Sequence, residues 1–142
     1  LQNQMEWEEC EMLDLFSGIG SISLEAISRG AKSVTSIDKH PKAIHWLKNV
    51  TNALSISNLI FQREDAFKWL NKNEKQFDLV FADPPYEFAQ YDELIEVVLN
   101  RALKADANFI LEHRQSGSFV KHSNFVEDRT YGEVRFSFFR NI

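Results

Sequence analysis

The 142-residue sequence has one cysteine, three prolines and five glycines, and it has no hydrophobic run long enough to cross a membrane. A single cysteine, Cys10, cannot form an internal disulfide, which is typical of proteins from a reducing compartment. The first ten residues, LQNQMEWEEC, are polar and acidic and lack the apolar stretch of a secretory signal. We therefore expect a cytoplasmic protein without a membrane partner.

Basic residues are also few. The chain has 16 lysines and arginines against 21 acidic residues, which gives a net charge of −5. This balance argues against a large phosphate-binding surface on these 142 residues. The histidines lack the spacing of metal ligands, so we expect no metal site. The length suits one compact domain, residues 1–142, and we expect a monomer.

Short apolar runs alternate with helical patterns along most of the chain. Strands are predicted at residues 11–16, 33–38, 59–63, 77–82 and 108–113. Helices are predicted at residues 21–30, 41–54, 66–72 and 92–103. The tail FVEDRTYGEVRFSFFR predicts two strands joined by a turn at Tyr131 and Gly132. This order predicts an α/β fold: a mostly parallel seven-stranded sheet with helices on both faces and an antiparallel C-terminal strand at one edge.

Ligands of such sheets bind where the parallel strands end, and acids or glycines occur at four of these points. The first is DLFSGIG, residues 14–20. It lacks the third glycine of a dinucleotide site, because Ser23 stands there, and it lacks the lysine of a phosphate loop. A carboxylate at Asp14 favours a cationic ligand instead, and S-adenosylmethionine carries both an ammonium group and a sulfonium.

Asp38 and Asp65 follow the second and third strands, and each has two possible roles. Asp38 lies about twenty residues beyond the glycines, where an acid can accept hydrogen bonds from ribose hydroxyls. It could instead help to start the helix at Pro41. Asp65 could reach an adenine amino group, or it could cap the helix that begins at Ala66, which the local sequence favours.

The fourth strand ends in FADPPYE, residues 81–87. Asp83 and Pro84 both precede prolines, which favours extended backbone, and neither proline can donate a hydrogen bond. The loop therefore offers acceptors, the Asp83 carboxylate and the Pro84 carbonyl, which suit the exocyclic amine of a nucleobase. Tyr86 would offer a ring on which the base stacks after leaving its own stack. The alternative is a proline-rich turn with an exposed acid.

The run DLFSGIGSISLEAISRGA, residues 14–31, together with DPPY, residues 83–86, resembles the class I S-adenosylmethionine-dependent methyltransferases that modify exocyclic amines. More narrowly, it resembles the RsmD-type 16S ribosomal RNA guanine-N2 methyltransferases. The resemblance implies a Rossmann-like fold, S-adenosylmethionine as cofactor, and 16S ribosomal RNA or the small ribosomal subunit as partner. It implies a catalytic loop of Asp83, Pro84, Pro85 and Tyr86. It implies cofactor contacts from Asp14, Phe16, Ser17, Gly18, Gly20, Asp38, Lys39, Asp65, Ala66 and Asp83.

The sequence departs from the family pattern in two ways. Asp38 replaces the commoner glutamate, and the family's basic N-terminal segment, before the first helix, is absent here. Because the chain begins at Leu1, we expect a catalytic domain without that upstream segment. Two other functions stay open: an adenine-N6 methyltransferase acting on DNA or RNA, and a cofactor-binding module without catalysis.

Overall fold

The computed structural model describes residues 6–114 and 118–142. Strands and helices alternate as the sequence predicts. The strands are β1 Glu11–Leu15, β2 Ser33–Asp38, β3 Leu59–Arg63, β4 Phe77–Ala82, β5 Leu103–His113, β6 Phe125–Tyr131 and β7 Val134–Arg140. The α-helices are α1 Ser21–Ser28, α2 Pro41–Ala53, α3 Ala66–Lys72 and α4 Tyr91–Arg101. A short 3-10 turn, Trp7–Glu9, precedes β1.

The seven strands form one sheet in the order β3-β2-β1-β4-β5-β7-β6. Strands β1 to β5 pair in parallel, and β7 is antiparallel to both β5 and β6. The mixed seven-stranded sheet confirms the predicted α/β fold. The expected position of the antiparallel strand at the edge is wrong, because β7 lies inside the sheet and β6 forms the edge.

Each face of the sheet has its own apolar core. On one face, α3 and α4 pack against the β1, β2, β4, β5 and β7 side chains, and α4 contributes the buried Leu94, Ile95, Val98 and Leu99. On the other face, α1 and α2 contribute Ala26 and Leu47 to a smaller core around Val34 and Phe81. The helices on both faces hold the carboxyl ends of the parallel strands in a fixed row.

Within the described residues, no helix is long and apolar enough to cross a membrane. The same residues contain no group of three or more histidine, cysteine or acidic side chains placed to hold a metal ion.

Candidate functional site

A cavity of about 380 Å³ opens at the carboxyl ends of the first four strands, and its volume is in the range of small-molecule sites. Its lining comprises Phe16, Gly18, Ile37, Asp38, Lys39, His40, Glu64, Asp65, Ala66, Phe67, Asp83, Pro85, Phe88 and Gln90. Larger cavities of about 470 and 720 Å³ lie elsewhere, beside α1 and near Cys10. We assign the ligand to the strand-end cavity, because parallel α/β sheets bind ligands at that edge.

The loop after β1 has an unusual backbone. Phe16 adopts a left-handed conformation with φ of 58°, which is costly for a bulky residue and occurs mainly where the surrounding structure enforces it. Gly20 has φ of 81°, and a Cβ there would lie 2.6 Å from Leu47 Cδ1. A side chain at position 20 would therefore strain the loop and collide with the core. The loop geometry explains why the sequence needs glycine at this point.

Asp38 links the first two strand ends. Its Oδ2 accepts a hydrogen bond from the Gly18 N–H at 2.8 Å, and its Oδ1 accepts one from the His40 N–H at 2.8 Å. The carboxylate thereby fixes the glycine loop and also the residue before α2. Both roles considered for this acid are compatible with its position, since it stabilises the start of α2 and also lines the cavity.

Asp65 is the N-terminal cap of α3. Its Oδ2 accepts a hydrogen bond from the Lys68 N–H at 3.1 Å, which confirms the capping role that the local sequence favours. Asp65 and Ala66 both line the cavity. The acid therefore lies where a second role toward a ligand is geometrically possible.

Asp14 does not line the cavity. It is almost fully buried, and it accepts a 2.6 Å hydrogen bond from the Ser23 hydroxyl, which in turn lies 2.5 Å from the Ser36 hydroxyl. Loss of solvation on burial raises the pKa of Asp14 to about 7, although the Ser23 hydrogen bond opposes that rise. This acid thus joins β1, β2 and α1 beneath the glycine loop.

Ser17 lies at the start of the same loop. Its N–H donates to the Ile37 carbonyl at 3.1 Å, which ties the loop to β2. Its hydroxyl is buried and has no hydrogen-bond partner within the described part of the chain. Buried hydroxyls are usually paired, so this one is unusual, and it lies just behind the cavity wall.

The loop after β4 brings the acid of the DPPY motif to the cavity. The Asp83 N–H donates to the Leu15 carbonyl at 3.4 Å, so the acid lies beside the end of β1. Partial burial raises the pKa of Asp83, and the Arg114 guanidinium opposes that rise. Pro84 is buried and Pro85 lines the cavity, whereas the Tyr86 side chain lies outside it and is 69% exposed.

Sequence reasoning named Phe16 but missed Phe67 and Phe88 on the aromatic side of the cavity. Phe88 contacts Phe16 edge-on with ring centroids 5.4 Å apart, stacks on Phe67 at 6.1 Å, and contacts Tyr91 at 5.1 Å. The Phe88 N–H donates to the Pro85 carbonyl, so the motif's own turn places the ring. The one signal for Phe88 in the sequence was its position two residues after Tyr86.

The cavity suits S-adenosylmethionine. Carboxylates at Asp38, Asp65 and Asp83 favour a cationic ligand, and the rings of Phe16 and Phe67 offer an apolar surface for an adenine. Of the residues implied as cofactor contacts, the cavity brings together Phe16, Gly18, Asp38, Lys39, Asp65, Ala66 and Asp83, whereas Asp14, Ser17 and Gly20 lie behind its wall.

Known proteins share this fold and much of this sequence. Ribosomal RNA small subunit methyltransferase D from Buchnera aphidicola subsp. Baizongia pistaciae is 31% identical over 135 residues, which cover 92% of this chain and 69% of that protein. A solved structure of a candidate methylase from Haemophilus influenzae is 28% identical with a TM-score of 0.85, covering 96% of this chain and 89% of that one.

A third comparison is with a candidate methyltransferase solved in complex with SAH, which is 16% identical with a TM-score of 0.76. It matches 92% of this chain and 45% of its own, and at that identity the likeness shows the fold alone. The family model described as Conserved hypothetical protein 95 matches residues 1–140. The chain therefore belongs to this family, that of the RsmD-type ribosomal RNA small subunit methyltransferases.

Proposed function

We propose that this protein transfers a methyl group from S-adenosylmethionine to the N2 amine of a guanine in 16S ribosomal RNA. We further propose that it acts as a cytoplasmic monomer on the RNA or on the small ribosomal subunit. Family membership supports methyl transfer to ribosomal RNA. The observation that carries the proposal is Asp83, an acid with a raised pKa that follows a central strand and lines a cavity suited to the cofactor.

The cofactor supplies a methyl group on a positively charged sulfur. An exocyclic amine is a weak nucleophile because its lone pair is delocalised into the ring of the base. The Asp83 carboxylate and the Pro84 carbonyl would accept hydrogen bonds from the two N–H groups of that amine and so orient its lone pair. Positioning of this kind accounts for much of an enzyme's rate enhancement. Because its pKa is raised, Asp83 is also a better proton acceptor than an exposed aspartate.

The remaining residues of the site would hold the reactants. Asp38 and Lys39 would face the ribose, Asp65 and Ala66 the adenine, and the loop from Phe16 to Gly20 the methionine part of the cofactor. Tyr86 is exposed beside the cavity, so its ring would be accessible to a base that has left the RNA helix. Asp14 would act indirectly, through the hydrogen bonds that hold the start of α1, just after the glycine loop, against β1 and β2.

The first test is the substitution Asp83→Ala. We expect turnover to fall by at least about 100-fold, because a positioned hydrogen-bonding and proton-accepting group is lost. Cofactor affinity, measured by titration calorimetry, should stay nearly constant. Methyl transfer from labelled cofactor would be measured on small-subunit RNA and on small ribosomal subunits, followed by nucleoside analysis.

Glu87→Gln is the matched control, because Glu87 is an exposed acid of the same loop that does not line the cavity. It should retain activity. Near-normal transfer by Asp83→Ala would remove the proposed mechanism. N6-methyladenosine as the product would favour the adenine-N6 alternative, and an unaltered protein that binds the cofactor but methylates none of the substrates would favour a non-catalytic module.

A further inference from the structure

An acid and an arginine that the mechanism above does not use lie next to Asp83. They are Glu112 and Arg114, at the carboxyl end of β5. Strand β5 pairs in parallel with β4, with Leu111 opposite Ala82, so the residues that follow these two positions are neighbours. Glu112 therefore lies beside the catalytic loop, on the side away from β1.

The Arg114 guanidinium lies between the two carboxylates. Its Nη1 is 3.9 Å from Asp83 Oδ1, and its Nη2 is 3.4 Å from Glu112 Oε2. Two nitrogens bonded to the same carbon thus face two different acids. The side chains of Asp83 and Arg114 are about four-tenths exposed, which leaves them accessible to an incoming ligand.

The position of Glu112 is costly for an acid. Its side chain is only 15% exposed, and its strand partner on β7 is Phe136. Loss of solvation raises the pKa of Glu112, and the nearby Asp83 carboxylate raises it further. A half-buried acid beside a second acid opposes folding unless a cation or a hydrogen-bond donor offsets the cost. Here Arg114 supplies that donor.

The Watson–Crick edge of guanine presents the same pair of adjacent N–H donors as this guanidinium. N1–H and the N2 amine are bonded to one carbon, C2, and both are donors. Adenine instead presents a ring acceptor next to its amine on that edge. Two carboxylates that face two nitrogens of one guanidinium are therefore suited to the guanine edge and unsuited to the adenine edge.

We propose that Asp83 and Glu112 together form the acceptor pair for the target guanine, with Asp83 on the N2 amine and Glu112 on N1–H. Arg114 occupies this pair in the absence of RNA and moves aside when the base enters. The inference rests on the proposed function and adds to it the residue that selects guanine. Glu112 is thereby a specificity-determining residue, whereas Asp83 serves the reaction itself.

The test compares two bases at the methylated position, after that position has been mapped with the unaltered protein. One RNA carries guanine there, and the other carries 2,6-diaminopurine, which keeps the N2 amine but replaces N1–H with an acceptor. We expect the unaltered protein to prefer guanine. In Glu112→Gln the ratio of kcat/KM for guanine to kcat/KM for 2,6-diaminopurine should fall by roughly 10-fold to 100-fold. The reason is that an amide can donate to the ring nitrogen of 2,6-diaminopurine as well as accept from the N1–H of guanine.

The control is Glu25→Gln, which removes an exposed acid that is paired with Arg29 and does not line the strand-end cavity. It should leave the ratio unchanged. A loss in Glu112→Gln that is equal for both bases would indicate a merely structural role and would overturn the inference, as would an unchanged ratio. If the unaltered protein produces no N2-methylguanosine, the proposed function fails and this inference fails with it. If the unaltered protein methylates guanine and Glu112→Gln prefers guanine as strongly as before, the inference alone is overturned.

Discussion

Among single residues, Asp14 makes stability depend on pH. Its pKa is about 7 in the folded protein, against an ordinary value of 3.8, because burial removes its solvation. At pH values between 3.8 and about 7, Asp14 keeps its proton in the folded state and has released it in the unfolded state. The contribution of protonated Asp14 to the free energy of unfolding is therefore complete below about pH 4 and is lost as the pH rises through 7.

The substitution Asp14→Asn should remove this dependence. The amide keeps the size of the side chain and a carbonyl that can accept from Ser23, but it cannot ionise. Relative to the unaltered protein, the variant's free energy of unfolding should rise by up to about 1.4 kcal/mol for each pH unit between pH 5 and 7. Urea unfolding at pH 5, 6, 7 and 8 would measure the difference, and parallel curves for the two proteins would contradict it.

Local sequence signals predicted some residues of the site well. Asp65 before an apolar helix start indicated a cap, and Asp83 before two prolines indicated a stiff loop rich in acceptors. Other contacts had no local signal. Glu112 and Phe88 reach the site only because β5 lies beside β4 and because the motif's turn folds back on itself. Roles that depend on strand order are not visible in short stretches of sequence.

At the level of elements, the C-terminus of α2 contains a residue in a costly conformation. Ser55 has φ of 53°, and the Ile56 N–H donates to the Thr51 carbonyl at 2.9 Å. Helix α1 ends in the same way, but there the left-handed residue is Gly30 with φ of 95°. Glycine adopts this conformation without the steric penalty of a Cβ, which is about 1–2 kcal/mol for other residues.

Ser55→Gly should therefore stabilise the protein. We expect the free energy of unfolding to rise by about 0.5–1 kcal/mol, less than the full steric penalty because glycine also makes the unfolded chain more flexible. Chemical denaturation at one pH would detect the change. Gly30→Ser is the reciprocal variant and should destabilise by a similar amount; a stabilised Gly30→Ser protein would show that the left-handed ends are not the cause.

The elements themselves were largely predictable, and the sheet order was not. The apolar face that helical spacing predicts for α4 is buried at Leu94, Ile95, Val98, Leu99 and Ala102. Strand β5, however, begins at Leu103 and not at residue 108. The prediction placed its start too late because Lys104 and Asp106 interrupt the apolar pattern. Asp106 has φ of 63°, and the pairing of β5 with β4 shifts register in this region. Such an irregularity is stabilised by neighbouring strands and leaves no periodic signal.

At the level of the whole molecule, the strand-end cavity depends on the assembled sheet. Its walls come from the ends of four different strands, so the site exists only in the folded state. S-adenosylmethionine should therefore raise the melting temperature, with a stabilisation of about 2.7 kcal/mol at a hundred times its dissociation constant.

Differential scanning fluorimetry over a range of cofactor concentrations would measure this shift. Asp38→Ala should weaken it, because the glycine loop would lose its hydrogen bond from Gly18 and the residue before α2 would lose the one from His40. Ser55→Gly should retain it, since Ser55 lies outside the cavity. Stabilisation by NAD without stabilisation by S-adenosylmethionine would contradict the assignment of the cofactor.

The insertion of β7 between β5 and β6 also has a consequence for protein synthesis. A ribosome makes β5 and β6 before β7, at about 5–20 residues per second. Until Val134–Arg140 has emerged, the outer edge of β5 has no neighbouring strand and β6 has no partner in the sheet. Unpaired strand edges can pair with other chains. We therefore expect nascent chains stalled before residue 134 to be captured by chaperones, and chains released after β7 to escape them.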